Sequence, residues 1–155
     1  MRNIVGLGLL LIAILISACG SNGSKGSSEP TESALRERVE AVFAALGDEN
    51  WIEAHRFSSP EFQEACPAEK FAIASGEGMK AIKGILGLDE DEKFQYRVIA
   101  VTVDGRNGAV TSEILYEGEP LIFGEAEAPE PKPWVFNDGQ WWPIEGDASK
   151  GCLGL

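Results

Sequence analysis

The chain has 155 residues and a formal charge of −12, with 44% hydrophobic and 25% charged residues. That balance is too apolar for a disordered chain and too acidic for a nucleic-acid binder, and the length is that of one domain. Its first 18 residues are almost wholly apolar apart from Arg2, Asn3 and Ser17, which leaves 137 for folding and takes the charge of the remainder to −13 once Arg2 is removed. Arg2 and the amino terminus form a short positive region, and residues 4–16 form an apolar run broken only by Gly6 and Gly8. This is the pattern of a signal peptide, and at about 13 residues the run is shorter than the roughly 20 that span a bilayer as a helix.

The run ends in Ile16-Ser17-Ala18-Cys19. This resembles the lipobox of bacterial lipoproteins, in which an aliphatic residue and two small ones precede the cysteine that is lipidated. The resemblance implies cleavage before Cys19 and attachment of two or three acyl chains there, where one alone would bind only marginally. The protein would then be anchored in the cell membrane or outer membrane, facing away from the cytoplasm. Residues 20–28 contain seven Gly or Ser in nine positions, a flexible tether. The reach from residue 20 to residue 31 is roughly 20 Å, which holds the folded part close to the lipid while its acidic charge keeps it off anionic head groups.

Lipidation of Cys19 leaves Cys66 and Cys152 as an even pair in a non-cytosolic protein, which favours a disulfide over two free thiols. The bridge would close a loop of 86 residues. The expected organisation is thus a signal peptide over residues 1–18, a lipidated cysteine and tether over 19–30, and a single α+β domain over 31–155.

In that domain Thr31 offers an N-cap after Pro30, and apolar residues recur at Leu35, Val39, Val42, Phe43 and Leu46 before Gly47. This predicts an amphipathic helix. Asp48 is positioned to cap a second, shorter helix through Trp51, Ile52, Ala54 and His55. Ser58 and Glu61 have the spacing of a capping box. Pro67 stands where an N1 proline would open a helix through Phe71 and Ile73, with Gly76 and Gly78 interrupting it before a last piece carrying Met79, Ile82, Ile85 and Leu86.

After the acidic residues 89–92 the period changes from helical to two, predicting strands over 94–103 and 109–116 around the turn cluster 104–108. Along the first of these, Phe94, Tyr96, Val98 and Ala100 fall on one face, and Ile99, Val101 and Val103 on the other. Which face is concave the pattern leaves open. Glu117-Gly118-Glu119 turns into a short strand around Leu121, Ile122 and Phe123. Residues 124–133, with three Pro and three Glu, read as an exposed loop. Asp138-Gly139 then marks a two-residue hairpin pairing Asn137 with Gln140, Phe136 with Trp141 and Val135 with Trp142. Trp134, Phe136, Trp141 and Pro143 share one face, and Val135, Trp142 and Ile144 the other. Both faces are apolar and both need cover.

Helices followed by a curved antiparallel sheet resemble the nuclear transport factor 2-like superfamily of α+β cones. The likeness rests on residues 50–62, similar to the second helix of small secreted members, and on the closing Asn137-Asp138-Gly139-Gln140-Trp141 hairpin. It implies helices packed on a bent sheet around a conical cavity. Some members use that cavity for catalysis, while many only bind ligands or partners.

A catalytic cone needs buried acid and base groups facing the cavity. No such set is readable: His55 is the lone histidine and lacks an acid at helical spacing, Cys66 lacks a paired histidine, and Ser58 and Ser59 read as caps. Asp89-Glu90-Asp91-Glu92 lacks the later ligands of a calcium loop and reads as a solvated connector. No cofactor or metal signature is present. The residues that could line a cavity are Trp51, Tyr96, Tyr116, Trp141 and Trp142, the first four being the leading candidates, although for each core packing is the stronger reading. The sequence therefore points to a lipid-anchored binding or interaction module of the bacterial envelope, taking a small apolar ligand or an envelope protein. The alternative is a cone-cavity isomerase, dehydratase or hydrolase on a small apolar substrate. A homodimer through the outer sheet face is a further expectation.

Overall fold

The computed structural model describes residues 29–121, 129–144 and 152. The leader, Cys19, the tether, Ile122, Phe123 and the first part of the Pro-rich segment lie outside them. Four helices precede five strands: α1 (Glu32–Gly47), α2 (Trp51–His55), α3 (Pro60–Ala65), α4 (Ala68–Leu86), β1 (Gln95–Asp104), β2 (Asn107–Tyr116), β3 (Glu119–Pro120), β4 (Lys132–Asn137) and β5 (Gln140–Pro143). The sheet is antiparallel with order β1-β2-β4-β5, and β3 pairs with the far end of β2. The class is α+β, helices packed on a curved antiparallel sheet, as the order of patterns implies.

Local chemistry sets the helix ends. Ala34 donates its N–H to Thr31 Oγ1 at 3.2 Å, so Thr31 caps α1. The second cap is Asn50 rather than Asp48: its Oδ1 accepts from the Glu53 N–H at 3.2 Å. The chain between the two helices turns through Glu49, whose φ is 58°, and that turn moves the start of α2 two residues on. Likewise Ser59, not Ser58, caps α3, with Pro60 at its first position, and Pro67 is the residue before α4. Gly76 and Gly78 do not interrupt α4, which runs unbroken to the left-handed Gly87. Glycine weakens a helix by only about 1 kcal/mol, and Gly76 packs against the Trp51 indole, where a Cβ would lie 3.6 Å from Nε1.

Strand pairing in the last hairpin follows the sequence: Asn137 faces Gln140, Phe136 faces Trp141 and Val135 faces Trp142. Asp138 and Gly139 both have positive φ, the type I′ geometry that their dipeptide favours. Pro133 departs from expectation and stands inside β4 opposite Ala109. It brings no donor to the ladder, yet its carbonyl accepts the Ile144 N–H at 3.0 Å. The short strand forms at Glu119–Pro120, just after the turn, rather than around Leu121.

A further departure lies in β1. The register with β2 shifts between Val98 and Ala100, a bulge. Strict alternation would place Val98 and Val101 on opposite faces, but the extra residue returns Val101 and Val103 to the face of Tyr96 and Val98 and leaves Ile99 48% exposed. The inward face of β1 is therefore continuous along its length, and the bulge bends the sheet toward α1.

Two clusters form the interior. In the first, Leu35 and Val39 of α1 meet Val101, Val110, Trp134, Phe136 and Trp141 of the sheet. Trp141 is 1% exposed and makes an edge contact with Phe136 at 5.3 Å. In the second, Ala45 joins Ala54, Phe62, Cys66 and Phe71 beneath α2, α3 and α4. His55 lies there between Phe62 and Phe71, donating from Nε2 to the Cys66 carbonyl at 2.6 Å. Cys66 and Cys152 are disulfide-bonded, joining this cluster to the end of the chain.

Gly108 is a point of close approach between the layers. A Cβ there would lie 2.5 Å from Leu35 Cδ2 and 3.0 Å from Trp141 Cζ3. Because both neighbours are fully buried, Gly108→Ala is expected to destabilise the domain by about 1–3 kcal/mol. A lowered denaturant midpoint with unchanged slope checks it; an unchanged midpoint would mean that the two layers do not touch.

Candidate functional site

An open groove of about 710 Å³ runs between α1 and the start of β1, an edge strand of the sheet among the described residues. Glu40, Phe43, Ala44 and Asp48 form one wall, and Lys93, Gln95, Tyr96 and Val98 the other. Its floor is the stacked pair Phe43 and Tyr96, centroids 5.4 Å apart. Gly47 closes one end, since a Cβ there would come to 3.4 Å of the Phe94 carbonyl. Burial, and secondarily the charge of Glu49, raises the Tyr96 phenol above its ordinary value, so Tyr96 is neutral here.

Beside this groove is a network of charged and phenolic groups. Lys83 is 3% exposed and donates to Glu49 Oε1 at 2.6 Å and to the Glu90 carbonyl at 2.8 Å. One ammonium thus binds the turn after α1 to the connector after α4. The Tyr116 hydroxyl donates to Glu92 Oε1, and the Asp89 N–H donates to Glu92 Oε2. The acidic segment 89–92 is a connector whose Asp89, Glu90 and Asp91 are exposed, tied to its neighbours through the Glu90 carbonyl and the Glu92 carboxylate. The hydrogen bond to Glu92, with burial second, pushes the Tyr116 phenol up to about 12, and the same bond lowers the Glu92 carboxyl.

On the other side of the domain Arg38 lies between two rings, its Cζ 4.6 Å from the Phe57 centroid and 4.9 Å from that of Trp142. Its Nε and Nη2 are buried without hydrogen-bond partners, and burial lowers its pKa. Arg38 thereby covers part of the second hairpin face. The rest of that face, Val135, Trp142 and Ile144, lines a smaller cleft of about 370 Å³ against Ser59 and Glu61, with Ile144 53% exposed.

Of the four leading cavity candidates, only Tyr96 lines the groove. Trp51 packs in the helical cluster, Tyr116 is bonded to Glu92 and stands edge-on to Phe94, and Trp141 is core. Trp142 lines the smaller cleft. Among the described residues no three His, Cys, Asp or Glu side chains gather as metal ligands, and no helix is long and apolar enough to cross a membrane. Sequence reasoning missed Lys83, Glu49 and the Glu92–Tyr116 pair. One signal was available: Lys83 continues the helical row of Phe71 and Met79, an interior position for a charge.

No family model matches the chain and no curated protein is similar to it. Among solved structures it is similar to a nuclear transport factor 2-like protein of unknown function from Cytophaga hutchinsonii, at 16% identity and a TM-score of 0.37, over 68% of this chain and 81% of that one.

Two outcomes test the network. Replacing Lys83 by Met leaves the Glu49 carboxylate without its partner and is expected to lower stability by about 2 kcal/mol, less than for a fully buried pair because Glu49 is partly solvated; equal midpoints for the two proteins would refute the role. For Tyr116 the neutral phenol is favoured in the fold, so its contribution is complete below pH 10 and is lost as pH rises through about 12. For Glu92 the charged form is favoured, so its contribution is present above pH 4.5 and is lost as pH falls. Tyr116→Phe should flatten both limbs of the stability–pH curve, measured by thermal melts across that range.

Proposed function

We propose that this chain is a lipid-anchored binding module of the bacterial envelope, built as a nuclear transport factor 2-like cone whose interior is closed and whose binding face is the α1–β1 groove. The observation that carries the reading is the filling of the space between α1 and the sheet by Leu35, Val39, Trp134, Phe136 and Trp141. A cone enzyme needs a cavity there with an acid or base facing it. The one carboxylate bonded to a phenol, Glu92 with Tyr116, is outside both the filled interior and the lining of the groove. What remains open is a surface groove with an aromatic floor and charged walls, a shape suited to holding a partner.

The anchoring rests on the sequence: the apolar run of residues 4–16, the Ile16-Ser17-Ala18-Cys19 segment and the Gly/Ser tether. The Cys66–Cys152 bridge agrees with an oxidising compartment outside the cytoplasm. With such a tether the groove would work within a few tens of Å of the membrane.

Expression of the full chain in a bacterium tests both halves. The protein should fractionate with membranes and carry acyl chains on Cys19 by mass spectrometry, and Cys19→Ala should release it; a soluble wild-type protein would overturn the anchoring. A photo-crosslinking residue at Gln95 should capture a discrete envelope component in intact cells, while one at exposed Glu77 on α4 should not. Equal labelling from the two positions would overturn the groove as the binding face.

A further inference from the structure

The groove is bounded by a strand whose outer edge has no partner among the described residues, and its backbone is the most specific feature in it. The hydrogen-bond phase of β1 can be read from β2. Leu121 donates its N–H to the Ile114 carbonyl at 2.8 Å, so the peptide groups of Ile114 turn toward the β3 edge and away from β1. Tyr96 stands opposite Ile114, and in an antiparallel ladder both members of such a pair turn their N–H and C=O outward. Tyr96 therefore presents both groups to the groove side, and so does Val98, two residues along and opposite Ser112. Neither is bonded to any backbone group outside the strand among the described residues.

The bulge after Val98 ends this phase, so the usable edge is residues 94–98, about 17 Å of strand. Phe94 and the first four residues of β1 line the groove together with Lys93. Edge strands are commonly protected by charged side chains. Here Arg97 is drawn across the sheet to Glu113, and the Lys93 ammonium is drawn to the Asp48 carbonyl at 3.3 Å. Both side chains border the groove, yet each is held by another partner and neither is ion-paired with Glu40 or Asp48, so the edge is left available.

Resting on the groove reading above, we propose that the occupant is an extended segment of a partner protein that adds as a further strand along residues 94–98, with aliphatic side chains over Phe43, Tyr96 and Val98 and basic residues at its flanks. The basic flanks follow from the helix wall. Asp48 makes no ion pair among the described residues, and Glu40 has only an exposed Arg36 at 4.0 Å. A chain carrying −12 adds a long-range preference of the same sign. Two copies meeting edge to edge would bring identical acidic walls and two like net charges together, which disfavours a second copy as the occupant.

The test uses the full chain in detergent and a fluorescein-labelled heptapeptide, Lys-Thr-Val-Thr-Val-Thr-Lys, read by anisotropy. Binding should be at least about tenfold weaker with glutamate at both ends of the peptide, the loss of one or two favourable charge contacts. Two N-methylated forms, blocked at alternate amides in either phase, should differ: one phase abolishes binding and the other retains it, because only one edge of the peptide faces β1. On saturation the Tyr96 and Val98 amides should gain protection from hydrogen exchange. Val98→Pro removes one outward N–H at a position where an edge strand tolerates proline, and should abolish binding. Should that variant unfold, the double change Glu40→Lys and Asp48→Lys gives the independent reading, about a tenfold loss for the lysine peptide.

Equal binding of both methylated forms would overturn strand addition, and equal binding of lysine and glutamate peptides would overturn the charge preference. A dimer in sedimentation whose Tyr96 and Val98 amides are already protected would assign the edge to a second copy and overturn the proposal. Specific crosslinking from Gln95 without any peptide binding would overturn the strand-addition proposal while leaving the groove as a binding face.

Discussion

The approach of β2 to α1 at Gly108 determines what space the rest of the molecule has. Without a side chain at that position Leu35 and Trp141 meet over the backbone of the strand, and the sheet lies directly on the helix. The bulge at Ile99 keeps the inward face of β1 apolar on both sides of the bend, so Val98, Val101 and Val103 all contribute to the same layer. Between α1 and the sheet these side chains pack on one another as a continuous layer. On the proposed reading recognition falls to the surface, where the groove lies between α1 and the start of β1.

Lys83 holds the turn at the end of α1. Glu49 adopts a left-handed conformation that costs a non-glycine residue about 1 kcal/mol, and the same turn delivers its carboxylate to a buried ammonium. The bond fixes the end of α1 against α4, and Gly47 in turn sits against the Phe94 carbonyl, closing the groove. Glu92 and Tyr116 secure the connector that leads into β1. The groove is thus framed by a polar network that is not in its lining, while the disulfide and the His55 bond to Cys66 hold the helical cluster behind it.

The parts of this arrangement that were legible in the sequence are those governed by local rules. Asp138-Gly139 dictates a turn type, a two-residue turn dictates a register, and the register assigns Trp134, Phe136 and Trp141 to one face. Thr31 and Gly47 bound α1 for similarly local reasons. The bulge was not legible, because Phe94 through Val103 is apolar or β-branched at nearly every position and alternation in such a run fits either phase. Gly76 misled because its effect on a helix depends on a neighbour, Trp51, that is distant in sequence, and Gly78 because one exposed glycine costs a helix only about 1 kcal/mol. Lys83 was hidden for the same reason: its partner Glu49 is 34 residues away, and an isolated lysine on a helix otherwise reads as solvated. The groove could not be anticipated either, since it is defined by which edge of the sheet stays unpaired.

The chemistry of the perturbed groups bears on what such a groove can do. Catalytic sites displace the pKa values of groups that face a substrate. In this fold Glu92 and Tyr116 shift because they satisfy each other, the carboxylate moving down and the phenol up, and each is thereby committed to the charge state it already has near neutrality. Tyr96, which does face the groove, is shifted upward and held neutral against Phe43, as a packing surface rather than a proton donor. On the proposed reading a neutral aromatic floor, an acidic helix wall and a row of outward peptide groups would recognise shape, charge and backbone together. That combination favours a polypeptide over a small apolar molecule, which would leave the peptide groups of Tyr96 and Val98 unpaired and lose the energy of their hydration.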